Sequence, residues 1–359
     1  MEVSRTVKMK LKNSCLGPLL QKWYYHYQLL KLALTAKQVG LPYRKLDWFC
    51  RFYTARPTMK RVKAFYDARF EILKRIDLSG DDVILITLCK NEIDKLREFL
   101  PYYRKLGVKR FVVIDNVSTD GSVEWLSHQP DVFLLQTREE YRAERQDAWY
   151  NRVMAWLGNN RWYLVVDSDE FLTYPGMEEH PIGDLIERMT RKKLTHIRGF
   201  MLDMYARPGY AEKGQRSRFL EECICFDTDS YREEPHTWRV FGGPRARIMG
   251  RECLLTKYPL VYLQAGEFLI NSHLYYPFGS NDPSPLYLVL RHYKFLPGDL
   301  ERYRDYATSG IHWNNSLEYR IYVNKWEEEG VIDFSYPGSA CYETSQSLKK
   351  TKILQEIPW

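Results

Sequence analysis

The chain has 359 residues, room for one large domain or two ordinary ones, and its 45% apolar and 15% aromatic content, including 27 Tyr and 10 Trp, excludes a disordered chain. No stretch approaches the roughly 18 consecutive apolar residues of a spanning helix, and the Lys- and Arg-rich start has no signal-peptide apolar run, so neither an integral membrane protein nor a secreted one is expected. The seven Cys, at positions 15, 50, 89, 223, 225, 253 and 341, form an odd set without C-x-x-C spacing, as reduced cytosolic thiols do, and no disulfide framework is expected.

The net charge of +7 is unevenly spread: Met1 to Arg75 carries 17 Lys or Arg against four acids, which is +13, and the other 284 residues sum to −6. The basic part interleaves its charges with rings such as Trp23, Tyr24, Tyr25, Trp48, Phe49, Phe65 and Phe70. Aromatic rings favour the headgroup level, and each Lys or Arg near an anionic leaflet contributes about 1 kcal/mol, so an anionic membrane surface is the expected partner. Ordinary helices packed on the main domain are the alternative; single-stranded nucleic acid combines the same residue types but is not expected as a partner. The domains expected are a basic, aromatic-rich helical extension over 1–78, a catalytic domain over 79–296, and a helical, then irregular segment over 297–359.

After Ser79-Gly80-Asp81-Asp82 the pattern changes. Val83 to Leu88 is a short apolar run between turn residues and predicts a buried strand. Ile93, Leu96, Leu100 and Tyr103 then recur at helical spacing, with Pro101 predicted to kink or end the helix. Phe111 to Ile114 is a second strand, completing a right-handed parallel strand-helix-strand unit. A short helix over Ser122 to Leu126, a strand over Val132 to Leu135, a helix over Glu140 to Leu157 and a strand over Trp162 to Val166 continue an open α/β sheet. A helix over Ile182 to Met189, an extended run from His196 to Tyr205 and irregular mixed strands follow.

In such a sheet, ligands sit outside the carboxyl ends of the strands. Those ends are polar here: Cys89-Lys90-Asn91-Glu92, then Asp115-Asn116-Val117-Ser118-Thr119-Asp120, then Asp167-Ser168-Asp169-Glu170. Converging carboxylates repel unless a cation or ligand offsets them. Asp167 and Asp169 alternate along an extended end, which predicts both carboxylates on one Mn²⁺ or Mg²⁺, with Ser168 pointing away and substrate phosphates completing the shell. Acid-x-acid triplets are common by chance; Asp227-Thr228-Asp229 is one, and it is expected to be structural. Asp167 and Asp169 differ from it in closing a strand whose neighbours also end in polar loops.

The runs KNE-x-D-x-LREFLPYYRKLGV, VVIDNVSTDGS and LVVDSDEFL resemble the family 2 type of glycosyltransferases and the related DUF23-like group, which have the GT-A fold; the resemblance covers Val83 to about Tyr174. It implies a mostly parallel sheet flanked by helices, with Asn91, Glu92, Asp115 and Asn116 near the nucleoside and Arg145 and Asn151 near the donor. It further implies Asp167 and Asp169 as the D-x-D motif on metal and diphosphate, with His292 as a late ligand. His273 is a second candidate for that histidine, and Lys294 is a candidate phosphate contact.

Cleaving a sugar-phosphate bond puts charge on the departing diphosphate, which a metal and basic side chains stabilise. The acceptor hydroxyl needs a carboxylate base, expected at Asp203, Glu233 or Glu234, and such a base implies inversion. Arg245 and Arg247, in GGPRARI, are candidate phosphate contacts on a loose turn. Cys223 and Cys225 are too few for structural zinc. The expected function is therefore metal-dependent transfer from a nucleotide-diphosphate sugar to a glycan or lipid-linked acceptor at the inner face of a bacterial membrane, in cell-surface polysaccharide or lipopolysaccharide synthesis. A nucleotidyltransferase is an alternative, although CKNEID holds no Gly-rich phosphate loop. A carbohydrate-binding or scaffold protein with a dead site is another.

Overall fold

In a computed structural model, residues 64–207, 218–234, 239–276, 285–296, 299–311, 315–330 and 332–359 are described. The extension expected to face a membrane falls mostly on 1–63, outside the described residues, as do Cys15 and Cys50. Everything below belongs to the compact unit Ala68–Trp359.

The strands of the first half are β1 (Glu71–Lys74), β2 (Ile84–Cys89), β3 (Arg110–Asp115), β4 (Val132–Gln136), β5 (Arg161–Val165), β6 (Glu170–Thr173) and β7 (His196–Asp203). Those of the second half are β8 (Cys225–Asp227), β9 (Tyr231–Glu233), β10 (Val240–Gly242), β11 (Thr256–Leu263), β12 (Phe268–Asn271), β13 (Leu274–Tyr276), β14 (Leu288–His292) and β15 (Ser339–Cys341). The helices are α1 (Ile93–Lys105), α2 (Ser122–Ser127), α3 (Ala143–Leu157), α4 (Ile182–Arg191), α5 (Phe219–Glu222), α6 (Gly243–Met249), α7 (Asp299–Ser309) and α8 (Leu317–Glu329).

Nine strands form one sheet in the order β1-β4-β3-β2-β5-β11-β7-β14-β6. The expected α/β architecture is what the chain forms. β4, β3, β2 and β5 are mutually parallel, and their apolar runs are buried on both faces, as crossover helices require. β11 runs antiparallel between β5 and β7, β14 lies parallel to β7, and β6 closes the edge antiparallel to β14. This alternation places the exits of β2, β3, β4, β5, β7 and β14 and the starts of β1, β6 and β11 at one edge of the sheet. Distant chain segments therefore meet at one place.

Two predicted elements differ. α1 runs through Pro101 to Lys105, with Leu96, Phe99, Leu100 and Tyr103 buried below. Pro101 is on the exposed side, and burial of those four side chains outweighs the roughly 3 kcal/mol that an interior Pro costs. The GGPRARI turn is instead helix α6, with Pro244 in its first turn, where the missing N–H costs nothing.

The core beside the site is aromatic. Phe171 on β6 packs edge-on against Phe99, Tyr102, Phe219 and Tyr293, with ring centroids 5.1–5.8 Å apart. Phe171→Ala is expected to lower unfolding free energy by about 3–5 kcal/mol, a large part of the stability of an ordinary domain. Urea denaturation followed by tryptophan fluorescence measures this, and a loss under about 1 kcal/mol would show that the cluster does not stabilise the fold.

Candidate active site

A cavity of about 310 Å³ opens over the shared strand edge. Its floor comes from the loops after β2 and β5, its sides from Tyr141 and Gln146 near the start of α3, and its far wall from Tyr303 and Tyr306 on α7 and Tyr319 on α8. Four cations, Lys90, Lys95, Lys294 and Arg302, and three carboxylates, Glu92, Asp167 and Asp169, line it, together with His292. The lining is thus slightly positive even before any metal is counted.

Asp167 to Asp169 is a tight turn rather than an extended end, closed by the Glu170 N–H donating to the Asp167 carbonyl at 3.0 Å. Its two aspartates consequently reach different partners. Asp167 accepts from Lys257 Nζ (2.9 Å), Gln146 Nε2 (2.6 Å) and the Tyr150 hydroxyl (3.1 Å). Asp169 Oδ2 lies 3.5 Å from Lys95 Nζ and 3.7 Å from His292 Nε2. Ser168 does not point away; it lines the pocket, and its hydroxyl donates to Glu92. No set of three His, Cys, Asp or Glu side chains converges on a single metal position among the described residues. What remains is a pair, Asp169 and His292, adjacent to each other on the pocket lining.

The cations set the protonation states. Burial alone would raise the Asp169 carboxyl, but the lysines around it, Lys95 first and then Lys294 and Lys257, outweigh it and hold the group well below the usual carboxylate range. Lys257 is buried, which works against its charge, yet Asp167 and Glu170, both paired with it, keep it firmly protonated. Glu170, buried beside it, is raised by desolvation, partly offset by Lys257.

The other expected residues separate into two groups. Glu92 and Asn116 line the pocket. Asn116 donates through Nδ2 to the carbonyls of Thr137 and Glu139, at 3.0 and 2.8 Å, and its buried Oδ1 has no hydrogen-bond partner. Asp115 and Asn91 shape the wall without lining it. Asp115 is fully buried and accepts the Ser118 N–H and Gln136 Nε2, whereas Asn91, in the left-handed region at φ 54°, accepts the Thr119 N–H at 2.7 Å.

Arg145, Asn151, Arg245, Asp203, Glu233 and Glu234 do not line the pocket. Arg145 donates to the Glu140 carbonyl, and Asn151 clamps both backbone groups of Leu269 on β12. Glu233 pairs with Arg198 and Glu234 with Arg239. Asp203 and Arg245 are buried against each other at 2.7 Å. No residue expected to be the base is therefore at the pocket surface. Asp227, in the second acid-x-acid triplet, is buried under Arg247, Tyr205 and Ser230, which accounts for it structurally. His273 lies outside the pocket lining, 2.7 Å from the Thr256 carbonyl.

Lys95, Lys257, Tyr141, Gln146, Arg302, Tyr303, Tyr306 and Tyr319 were not singled out from the sequence. Lys95 had a signal, being three residues after Glu92 at the start of α1. The α7 and α8 residues had none, since only the tertiary fold folds the chain's end over the sheet edge.

No protein-family model matches the sequence, and no curated protein matches it significantly. Among solved structures, 4-diphosphocytidyl-2C-methyl-D-erythritol synthase aligns at 17% identity and TM-score 0.27 over 39% of this chain and 67% of that one. The mannosyltransferase PcManGT from Pyrobaculum calidifontis, in complex with GDP-Man and Mn²⁺, aligns at 16% and 0.26 over 50% and 48%. Glucosyl-3-phosphoglycerate synthase from Mycobacterium tuberculosis, in complex with Mn²⁺, UDP and phosphoglyceric acid, aligns at 15% and 0.22 over 40% and 52%. The chain spans about half the length of the last two, and likenesses this distant do not bear on the site.

Burial pushes the His196 and His273 rings down to about 4, with Lys257 adding to the effect at His273. In the unfolded chain each takes its proton near pH 6.5, so acid favours unfolding: stability is expected to fall as pH drops from about 6.5 to 4, by about 3 kcal/mol for each ring. Urea midpoints across that range, for the wild type and His196→Phe, test this; a slope identical in the two proteins would remove His196 as a cause.

Proposed function

We propose that this chain is a metal-dependent glycosyltransferase that takes a sugar from a nucleotide-diphosphate donor. The observation that carries the reading is the adjacent pair of Asp169 and His292, with Lys95 and Lys294 beside it, in a pocket at the carboxyl edge of an α/β sheet. The carboxylate, together with diphosphate oxygens and water, suits a hard divalent cation, and the imidazole is a borderline donor that it can also accept. One carboxylate and one imidazole nitrogen 3.7 Å apart give Mn²⁺ or Mg²⁺ two protein ligands and leave the remaining positions to diphosphate oxygens and water. Asp167, with Lys257, Gln146 and Tyr150 already donating to it, is suited to accept from a sugar or ribose hydroxyl rather than to hold the ion directly.

When bound, the cation supplies charge neutralisation on the departing diphosphate. The chain's own residues do the rest. Lys95, buried, and Lys294, half-buried, place fixed positive charge where the leaving group develops its negative charge. The unpartnered Asn116 Oδ1 offers an acceptor for an N–H of the nucleobase. Tyr306 and Tyr319, 5.1 Å apart edge to face, form an apolar wall for a sugar ring. Inversion is not carried into the reading, because Asp203, Glu233 and Glu234 are engaged away from the pocket.

The acceptor in this reading is a glycan or lipid-linked sugar in bacterial surface-polysaccharide or lipopolysaccharide synthesis. The basic, aromatic-rich start of the chain brings the enzyme to the anionic inner leaflet.

The test is a thermal-shift screen of nucleotide diphosphates with and without Mn²⁺, followed by donor hydrolysis. One nucleotide is expected to stabilise the protein selectively and only with the metal. Asp169→Asn and His292→Ala are expected to lower Mn²⁺-dependent hydrolysis at least 100-fold with unchanged circular dichroism. Full turnover in chelator would overturn the metal requirement.

For the membrane role, removing residues 1–63, which spares β1, is expected to abolish sedimentation with phosphatidylglycerol vesicles, and 0.5 M salt is expected to weaken binding by the intact chain. Equal sedimentation of both proteins would sink it.

A further inference from the structure

Behind His292 a line of buried polar contacts runs to the C-terminal helices. His292 closes β14 and Asp203 closes β7, and the two are register partners on neighbouring parallel strands. Asp203 Oδ1 lies 2.6 Å from His292 Nδ1, and its Oδ2 accepts from Arg245 Nε on α6 at 2.7 Å. Arg245 Nη1 donates at 3.0 Å to Glu318 on α8, which also accepts from the Tyr322 hydroxyl. The Asp203 side chain is 1% exposed and that of Arg245 4%, so neither relies on water.

We propose that Asp203, held by Arg245, is a positioning residue that locks His292 in the tautomer whose unprotonated Nε2 faces Asp169. The inference rests on reading Asp169 and His292 as the metal pair. Arg245 and Asp203 form an ion pair at 2.7 Å, which leaves Asp203 a carboxylate with two accepting oxygens, one toward Arg245 and one toward the imidazole. A contact of 2.6 Å between two acceptors would be repulsive, so Nδ1 carries the proton. In the neutral ring the single proton is then on Nδ1, which leaves the Nε2 lone pair turned toward Asp169 Oδ2, 3.7 Å away. Carboxylates behind metal-bound histidines orient them in this way. Glu318 ties the arrangement to α8, the helix that also sets Tyr319 in the pocket wall, so the tautomer and the wall share one support.

The relay makes an unusual prediction about two variants. In Asp203→Asn, Arg245 still needs an acceptor, so the amide oxygen faces Arg245 and the NH₂ group faces Nδ1. That forces the proton onto Nε2 and removes the lone pair. In Asp203→Ala no such constraint exists, and both tautomers are open. Mn²⁺ affinity of the full chain, measured by electron paramagnetic resonance with a nucleoside diphosphate present, is expected to fall about 100-fold in Asp203→Asn and nearer 10-fold in Asp203→Ala. A packing role predicts the reverse order, because Asn conserves shape, and the reverse order would overturn the proposal. Nitrogen-15 spectra of histidine-labelled wild type read the tautomer with no variant at all: Nδ1–H at His292 supports the relay and Nε2–H overturns it. Failure of the wild type to bind Mn²⁺ would sink the metal reading alone; the relay would then be decided by whether Asp203→Asn switches the tautomer, an unchanged tautomer overturning it.

Discussion

Three carboxylates within four residues, Asp167, Asp169 and Glu170, sit at one turn, and the structure depends on the cations brought to them from elsewhere. Lys257 arrives at the start of β11 and Lys95 from the first turn of α1. Without these the turn would concentrate like charges next to a buried strand, where desolvation already opposes ionisation. The reversed direction of β11 has a clear consequence here: an antiparallel strand presents its beginning, and hence Lys257, at the edge where its parallel neighbours end.

The same balance leaves the pocket lining without net negative charge. The carboxylates are largely balanced by protein cations, Arg302 among them through Glu92 and Asp299, and Lys90 and Lys294 add further positive charge to the lining. Lys294 stands over Tyr319 at 4.8 Å, which places its charge against an aromatic face of the pocket wall. Groups fixed in this way cost little reorganisation when charge develops on a leaving group.

Some of this was legible in the sequence for definite reasons. The strands from Val83 onward are short apolar runs between turn residues, and a buried parallel sheet leaves that trace. The polar strand exits located the site edge, and Glu92, Asn116, Asp167, Asp169 and His292 all line the pocket. The expectations for Asp203 and Arg245 illustrate the opposite case. Each is a charged residue next to an apolar run, a pattern shared by a pocket-facing base and a buried ion pair. The 2.7 Å contact between them, across 42 residues of chain, is invisible to any local pattern. The two aspartates of the triplet likewise read as one metal clamp along an extended end, whereas the tight turn sends Asp167 to Lys257 and Asp169 toward His292.

The sequence by itself determined the α/β class, the order of the first strands and the edge where chemistry gathers, because hydrophobic periodicity and the polar residues closing each run are local properties. Only the tertiary structure decided which charges neutralise which, that Tyr303, Tyr306 and Tyr319 wall the pocket, and that Asp203 stands behind His292 rather than at the pocket surface. Those outcomes depend on strand direction and on contacts between distant segments, and Coulomb and desolvation energies respond to separations of a few ångströms that spacing along a chain does not encode.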